Sequence, residues 1–145
     1  MASKSEEEIR KLIVELRYLE QTAEVLQSRL NMLNAVTTDL SYATTALESL
    51  EKEKENSELL VPIGGTSYVR AKLDNPDRLI VGIGAGVSVE KTRQEAKEII
   101  KKRAEDLEKA RTATQQQLVQ ILERLSADRE RYEALATQVR GEKTS

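Results

Sequence analysis

A glycine cluster at Gly82, Gly84 and Gly86 has the only spacing in this sequence that resembles a phosphate-binding loop. The dinucleotide-binding fingerprint needs a third glycine and a helix that opens directly behind it. Val87 occupies the position of that third glycine, and no glycine is followed by the Lys-Ser/Thr pair of a P-loop. The cluster therefore predicts a backbone bend, and we expect no nucleotide or other cofactor.

Other side chains offer little chemistry. The sequence contains no histidine and no cysteine, which removes the commonest nucleophiles, bases and soft metal ligands and excludes disulfides. Asp, Glu, Lys, Ser and Tyr chemistry remains open in principle. Paired acids such as Glu6 and Glu7, or Glu51 and Glu53, lie in segments rich in solvated charge and mark no pocket. We expect no enzyme, no catalytic residue and no metal site.

Composition points to helices that pack on one another. Charged residues make up 33% of the 145 residues, and aromatic residues, all tyrosine, only 3%. Such a composition is typical of a coiled coil, and the length fits one domain. A formal charge of −2 gives no general attraction to nucleic acid. The N-terminal residues do not resemble a signal peptide, and no apolar run approaches about 18 residues. We therefore expect a soluble cytoplasmic protein without a membrane partner.

Glycine and proline divide the chain into three parts. Five of the six glycines and both prolines lie within residues 58–91, and these residue types interrupt regular structure most strongly. We therefore predict one helix over 6–56, a β insert over 58–91, and a second helix over 92–140 that Gly141 ends. Capping boxes should begin the helices, with Ser5 and Glu8 at the first and Thr92 and Glu95 at the second.

Apolar periodicity predicts that the two helices form an antiparallel coiled coil. In the first helix the seam steps by three and four, and it includes leucines spaced by seven, at Leu12, Leu19, Leu26, Leu33, Leu40 and Leu47. The second seam runs from Ile100 to Val139 and is interrupted by Arg111, Thr114 and Asp128. Helices of matched length on either side of a short insert should fold back on each other.

The insert predicts four short strands in two hairpins, with a turn at residues 74–77. About 30 residues cannot bury a core of their own, and open strand edges need partners. We therefore expect inserts of several subunits to join into one larger sheet. The residues expected to carry this oligomerisation are apolar side chains of the strands: Val61, Ile63, Val69, Ala71, Leu79, Val81, Ile83 and Val87.

The ends of the helices away from the insert carry a second candidate surface. Ile9, Leu12, Ile13 and Leu16 should meet Tyr132, Leu135 and Val139 there. Helix ends fray, so this apolar surface should be exposed intermittently. Two interpretations of Ile13, Val14 and Tyr18 stay open, namely ordinary packing or scattered surface residues and an exposed binding patch.

Three motifs of the insert resemble those of the alpha-class subunits of prefoldin. They are LVPIGG at residues 60–65, YVRAK at 68–72 and VGIGAGVSVEK at 81–91. The resemblance in architecture covers nearly the whole chain. Two predicted hairpins favour the alpha class, since beta-class subunits have one. The archaeal form fits best, and a eukaryotic counterpart stays open.

The resemblance implies a function as well as a fold. It implies a heterohexamer of two alpha and four beta subunits, and an ATP-independent chaperone, or holdase, that captures unfolded polypeptides and passes them to a group II chaperonin. The family binds its substrates at the coiled-coil tips. That implies a substrate-binding set of Ile9, Leu12, Ile13, Leu16, Leu19, Tyr132, Leu135 and Val139.

Two binding alternatives compete with a chaperone. A structural coiled-coil adaptor would explain the seams and would leave the glycine-rich hairpins as a long turn. A leucine-zipper DNA-binding protein would need a basic helix beside the zipper. The sequence has Glu6, Glu7 and Glu8 at that place, which argues against DNA.

Overall fold

A computed structural model describes residues 3–144 as two long helices with four strands between them. The elements in chain order are α1 (Lys4–Leu50), β1 (Glu58–Gly64), β2 (Ser67–Lys72), β3 (Arg78–Gly84), β4 (Val87–Thr92) and α2 (Arg93–Thr144). β1 pairs with β2 and β3 with β4, each pair antiparallel. The predicted fold class, mainly α with a small β insert of two hairpins, is confirmed. Within the described residues, neither helix is apolar enough over a sufficient length to cross a membrane.

The chain divides into two compact units. One, the helical unit, consists of Met1–Asn34 and Lys109–Ser145, and the other, the hairpin unit, is Ala35–Glu108. In the helical unit the most buried apolar side chains are Leu12, Leu19, Leu33, Leu118 and Leu125. Every position of the predicted α1 seam is buried or half-buried, and so is every position of the α2 seam except Ala104. The three-and-four periodicity therefore located the packed helix faces.

Helix α1 differs from the prediction at both ends. It begins at Lys4, because Ser3 caps it: the Ser3 Oγ accepts a hydrogen bond from the Glu6 amide at 3.2 Å. The predicted cap at Ser5 is wrong. The helix ends at Leu50 rather than at residue 56. Asn56 has a positive φ of 68° and donates its amide hydrogen to the Leu73 carbonyl at 2.6 Å, so this segment closes the base of the first hairpin.

Helix α2 begins as predicted and ends later. The Thr92 Oγ1 accepts a hydrogen bond from the Glu95 amide at 3.1 Å, which confirms that cap. The helix continues through Gly141 to Thr144, so the predicted end at residue 140 is wrong. Gly141 is not among the glycines with positive φ, and it therefore does not form a left-handed cap. A helical glycine costs only about 1 kcal/mol relative to alanine, which helical neighbours can offset.

The two hairpins have the same strand pairing and register. Glu58 pairs with Lys72 and Arg78 with Thr92, so the second register repeats the first 20 residues later (78 − 58 = 20). Each register shifts by one residue just before its turn. The turn residues have positive φ in both hairpins, at 57° and 57° for residues 65 and 66 and at 51° and 75° for residues 85 and 86. Such turns match the twist of the flanking strands, and the bend predicted from the glycines is confirmed.

The turn geometry gives a first testable prediction. Gly84 has φ of +113°, a conformation that strains any residue with a Cβ, although nothing lies within 4 Å of the added atom. We expect Gly84→Ala to lower the free energy of unfolding by about 1–3 kcal/mol, measured by denaturant titration of the full chain. Gly141→Ala is the control, since that helical glycine should gain stability instead. Equal effects of the two substitutions would contradict the assigned turn.

The second hairpin packs on the helices of the hairpin unit. Val81 is 8% exposed and forms a small core with Leu47 and Ala96. Two polar contacts hold the same hairpin to α2: an Arg93–Asp77 ion pair at 3.0 Å, and a hydrogen bond that Arg103 donates to the Gly82 carbonyl. The first hairpin differs, because Val61, the counterpart of Val81, is 42% exposed.

Candidate protein-binding surfaces

The predicted substrate-binding residues lie in the seam of the helical unit. Leu12 and Leu19 are buried, at 6% and 3% exposure. The others are half-buried: Ile9, Ile13, Leu16, Tyr132, Leu135 and Val139. The set therefore lies along the packed faces of α1 and α2 in this unit. These side chains become fully available to another polypeptide only when the two helices separate.

A second apolar stripe lies on the outer face of α1. Val14, Tyr18, Val25 and Met32 are spaced by four and seven, and each is more than 60% exposed. Tyr18 and Val25 line a shallow depression of about 300 Å³. For the residues whose interpretation stayed open, the structure exposes Val14 and Tyr18 and leaves Ile13 half-buried. Sequence reasoning did not single out Val25 and Met32, although their spacing from Tyr18 carried the signal.

Ion pairs fix the register of the helices in this unit. Arg124 pairs with Glu15, and Arg131 donates from Nε to the Glu8 carboxylate at 2.8 Å. Both pairs cross from α2 to α1. Exposed pairs of this kind contribute at most about 1 kcal/mol each, so they position the helices more than they stabilise them. The same two arginines also act electrostatically on an acidic residue of the seam.

That acidic residue is Asp128, one of the interruptions noted in the second seam. It is half-buried, and its Oδ2 atom is shielded from solvent and has no hydrogen-bond partner. Burial raises the pKa of Asp128, and the neighbouring Glu15 carboxylate raises it further, while Arg124 and Arg131 act in the opposite direction. Sequence periodicity located this residue in the seam, but only the structure shows the acid that faces it.

The predicted oligomerisation residues divide between two environments. Val81 is buried and Leu79 is half-buried against the core of the hairpin unit. Ala71 is half-buried as well. The other five are exposed by 42–65%: Val61, Ile63, Val69, Ile83 and Val87. Each two-stranded sheet also has open edges, whose backbone groups can pair with another strand. Exposed apolar side chains beside open edges make this insert a candidate assembly surface.

Comparison with known proteins identifies the architecture. The sequence model of the family described as "Prefoldin subunit" matches residues 19–139. The chain belongs to the prefoldin family. Prefoldin subunit alpha of Methanosarcina barkeri is 36% identical over 135 residues, which cover 91% of this chain and 86% of the relative. Prefoldin subunit alpha of Pyrococcus horikoshii is 31% identical over 124 residues, which cover 85% and 84%.

A solved prefoldin structure shares the fold. The cryo-EM structure of filamentous PFD from Methanocaldococcus jannaschii superposes with a TM-score of 0.62 and 24% identity, over 83% of this chain and 94% of the other. Prefoldin subunits are chaperones and not enzymes, and they assemble into prefoldin complexes. Membership of the family therefore favours a chaperone subunit over the adaptor, DNA-binding and enzyme alternatives.

Proposed function

We propose that this chain is the alpha subunit of a cytoplasmic, ATP-independent holdase built from two such chains and four beta-class subunits. The observation that carries the proposal is the exposed apolar surface of the hairpin unit, in a chain whose relatives are prefoldin alpha subunits. Its role is to capture unfolded polypeptides and to pass them to a group II chaperonin.

The first hairpin supports the assembly part of this proposal. In register, Val61 lies opposite Val69, and both are exposed by more than 40%. A two-stranded hairpin is marginally stable in water, and an apolar face of this kind gains free energy when it is covered. Strands of neighbouring subunits can cover the face and pair with the edges at the same time.

The helical unit supports the capture part. An unfolded client exposes scattered apolar groups without fixed geometry, which no rigid pocket fits. The seam offers leucine, isoleucine and tyrosine side chains that can bury such groups at about 25 cal/mol per Å². A single coiled coil then binds weakly and reversibly. Several coiled coils that act on one client gain from effective concentration, so the assembly holds the client while each arm can still release it.

Substitution in the seam tests the capture site. We expect Ile13→Ser combined with Leu16→Ser to raise the chaperone concentration needed for half-suppression of client aggregation by about three- to tenfold. Both residues belong to the helical unit and not to the hairpin unit that is proposed for assembly, so the hexamer should survive, which native mass spectrometry checks. The assay uses light scattering of a chemically denatured client diluted into buffer without ATP.

A matched double variant tests whether any exposed apolar residues of the helical unit, and not only those of the seam, contribute to capture. Val119 and Leu122 are exposed apolar residues on α2 of the same unit, at 47% and 49%. Val119→Ser with Leu122→Ser should leave suppression unchanged. Unchanged suppression by the Ile13 and Leu16 variant would refute the seam as the capture site. A wild-type chain that forms no complex and holds no client would instead favour the structural adaptor.

A further inference from the structure

Asp128 lies where the seam of the helical unit would otherwise be apolar. One turn before it, Leu125 is 3% exposed, and one turn after it, Tyr132 is half-buried. Across the seam, Leu12 is 6% exposed. A carboxylate in such surroundings loses water and needs hydrogen bonds in exchange. The Oδ2 atom of Asp128 has none in the structure.

The charged neighbours do not compensate this carboxylate. Glu15 of α1 acts on Asp128 as a second acid, which disfavours the ionised form. Arg124 and Arg131, on the helix of Asp128 itself, favour the ionised form, but each is already paired, Arg124 with Glu15 and Arg131 with Glu8. An ionised Asp128 carboxylate, with one oxygen shielded from water and without a hydrogen-bond partner, therefore opposes closure of the coiled coil.

We propose that Asp128 forms a weak point of the seam that lets α1 and α2 separate locally and expose the predicted substrate-binding residues. The inference rests on the proposed function, since it explains how buried leucines reach a client. Tyr132 lies one turn after Asp128 in α2, and Leu12 and Leu16 lie within one turn of Glu15 in α1. All three belong to the predicted substrate-binding set, so local opening at this place would uncover them.

The sign of the pH dependence follows from the direction of the shift. The folded-state pKa of Asp128 is raised above its unfolded value. The folded state therefore binds the proton more tightly, and the destabilisation is fully present above the folded pKa. It disappears as the pH falls through that value. Protonation of Asp128 by itself therefore favours closure of the seam. Acid also removes the ion pairs that α2 makes with α1, so the comparison of wild type with Asp128→Asn isolates the contribution of Asp128.

Hydrogen exchange of the full-length protein, in its native oligomeric state, tests the weak point. We expect Asp128→Asn, which removes the charge and keeps the shape, to slow amide exchange over residues 9–19 and 121–135 at least about fivefold at pH 7. The difference from wild type should narrow as the pH falls toward 4, after correction for the intrinsic exchange rates. Glu130→Gln, an exposed acid on the same helix, is the control and should change neither rate.

Client capture by the same variants completes the test. Slower exchange with weaker or slower capture by Asp128→Asn supports the inference. Unchanged exchange, or a difference that does not vary with pH, overturns the weak point. Slower exchange with unchanged capture overturns its role in exposing the seam. Failure of the proposed function itself is distinguishable, because the wild-type protein would then not suppress aggregation at any pH.

Discussion

Replacing Val81 with aspartate should unfold the hairpin unit. Val81 is 8% exposed and packs with Leu47 and Ala96. The substitution removes about 1.5–3 kcal/mol of side-chain burial and places an unpaired charge in an apolar site, which costs several kcal/mol more. A loss of this size approaches the whole stability of a typical domain, about 5–15 kcal/mol. Circular dichroism melting should show a lower midpoint, and hydrogen exchange should lose protection over residues 43–50 and 93–100.

Ile80 provides the control for this variant. It is adjacent to Val81 on β3, it points to the opposite side of the strand, and it is 79% exposed. Ile80→Asp therefore adds the same charge to the same strand without burying it. We expect protection of the helix segments to stay near the wild-type level. Equal loss of protection in both variants would mean that Val81 does not anchor the hairpin.

Most of this fold could be predicted from the sequence, because its helices and turns are specified by the spacing of apolar residues and by the positions of glycines. Seam periodicity reports which face of a helix is buried, and glycine pairs report turns with positive φ. Helix ends were less predictable. Helix α1 ends at Leu50, and Asn56, which was predicted to be helical, donates its amide hydrogen to the Leu73 carbonyl instead. That partner lies 17 residues away in sequence (73 − 56 = 17), and no local propensity identifies it. Gly141 continues a helix for which sequence reasoning expected a stop.

The binding surfaces depend on tertiary neighbours and were predicted less completely. Val61 and Val81 occupy equivalent places in two hairpins of one plan, and the sequence treats them alike. Only the structure shows that the helices of the hairpin unit cover Val81 and leave Val61 exposed. Asp128 is a similar case. Its position in the seam could be read from periodicity, whereas its effect depends on Glu15 across the seam.

Because Val61 is exposed where Val81 is buried, a charge at Val61 should affect subunit assembly rather than the fold of the chain. We expect Val61→Asp to weaken subunit assembly at least about 100-fold while the chain keeps its own fold. Within the chain Val61 is 42% exposed, so the charge stays hydrated there. In an assembled sheet the same side chain would be covered, and an unpaired buried charge costs about 3 kcal/mol or more, which is about two orders of magnitude in affinity. Native mass spectrometry at graded concentrations measures the change.

A turn variant and hydrogen exchange distinguish an effect of Val61→Asp on assembly from an effect on the fold. Thr66→Asp adds the same charge to the same hairpin at a turn residue with φ of 57°, a conformation that aspartate tolerates, and it should assemble normally. Val61→Asp should keep the exchange protection over residues 93–100 that Val81→Asp loses. If Val61→Asp assembled like the wild type, the apolar face of the first hairpin would not be an assembly surface. If it lost helix protection as well, Val61 would have a packing role inside the chain that its exposure does not show.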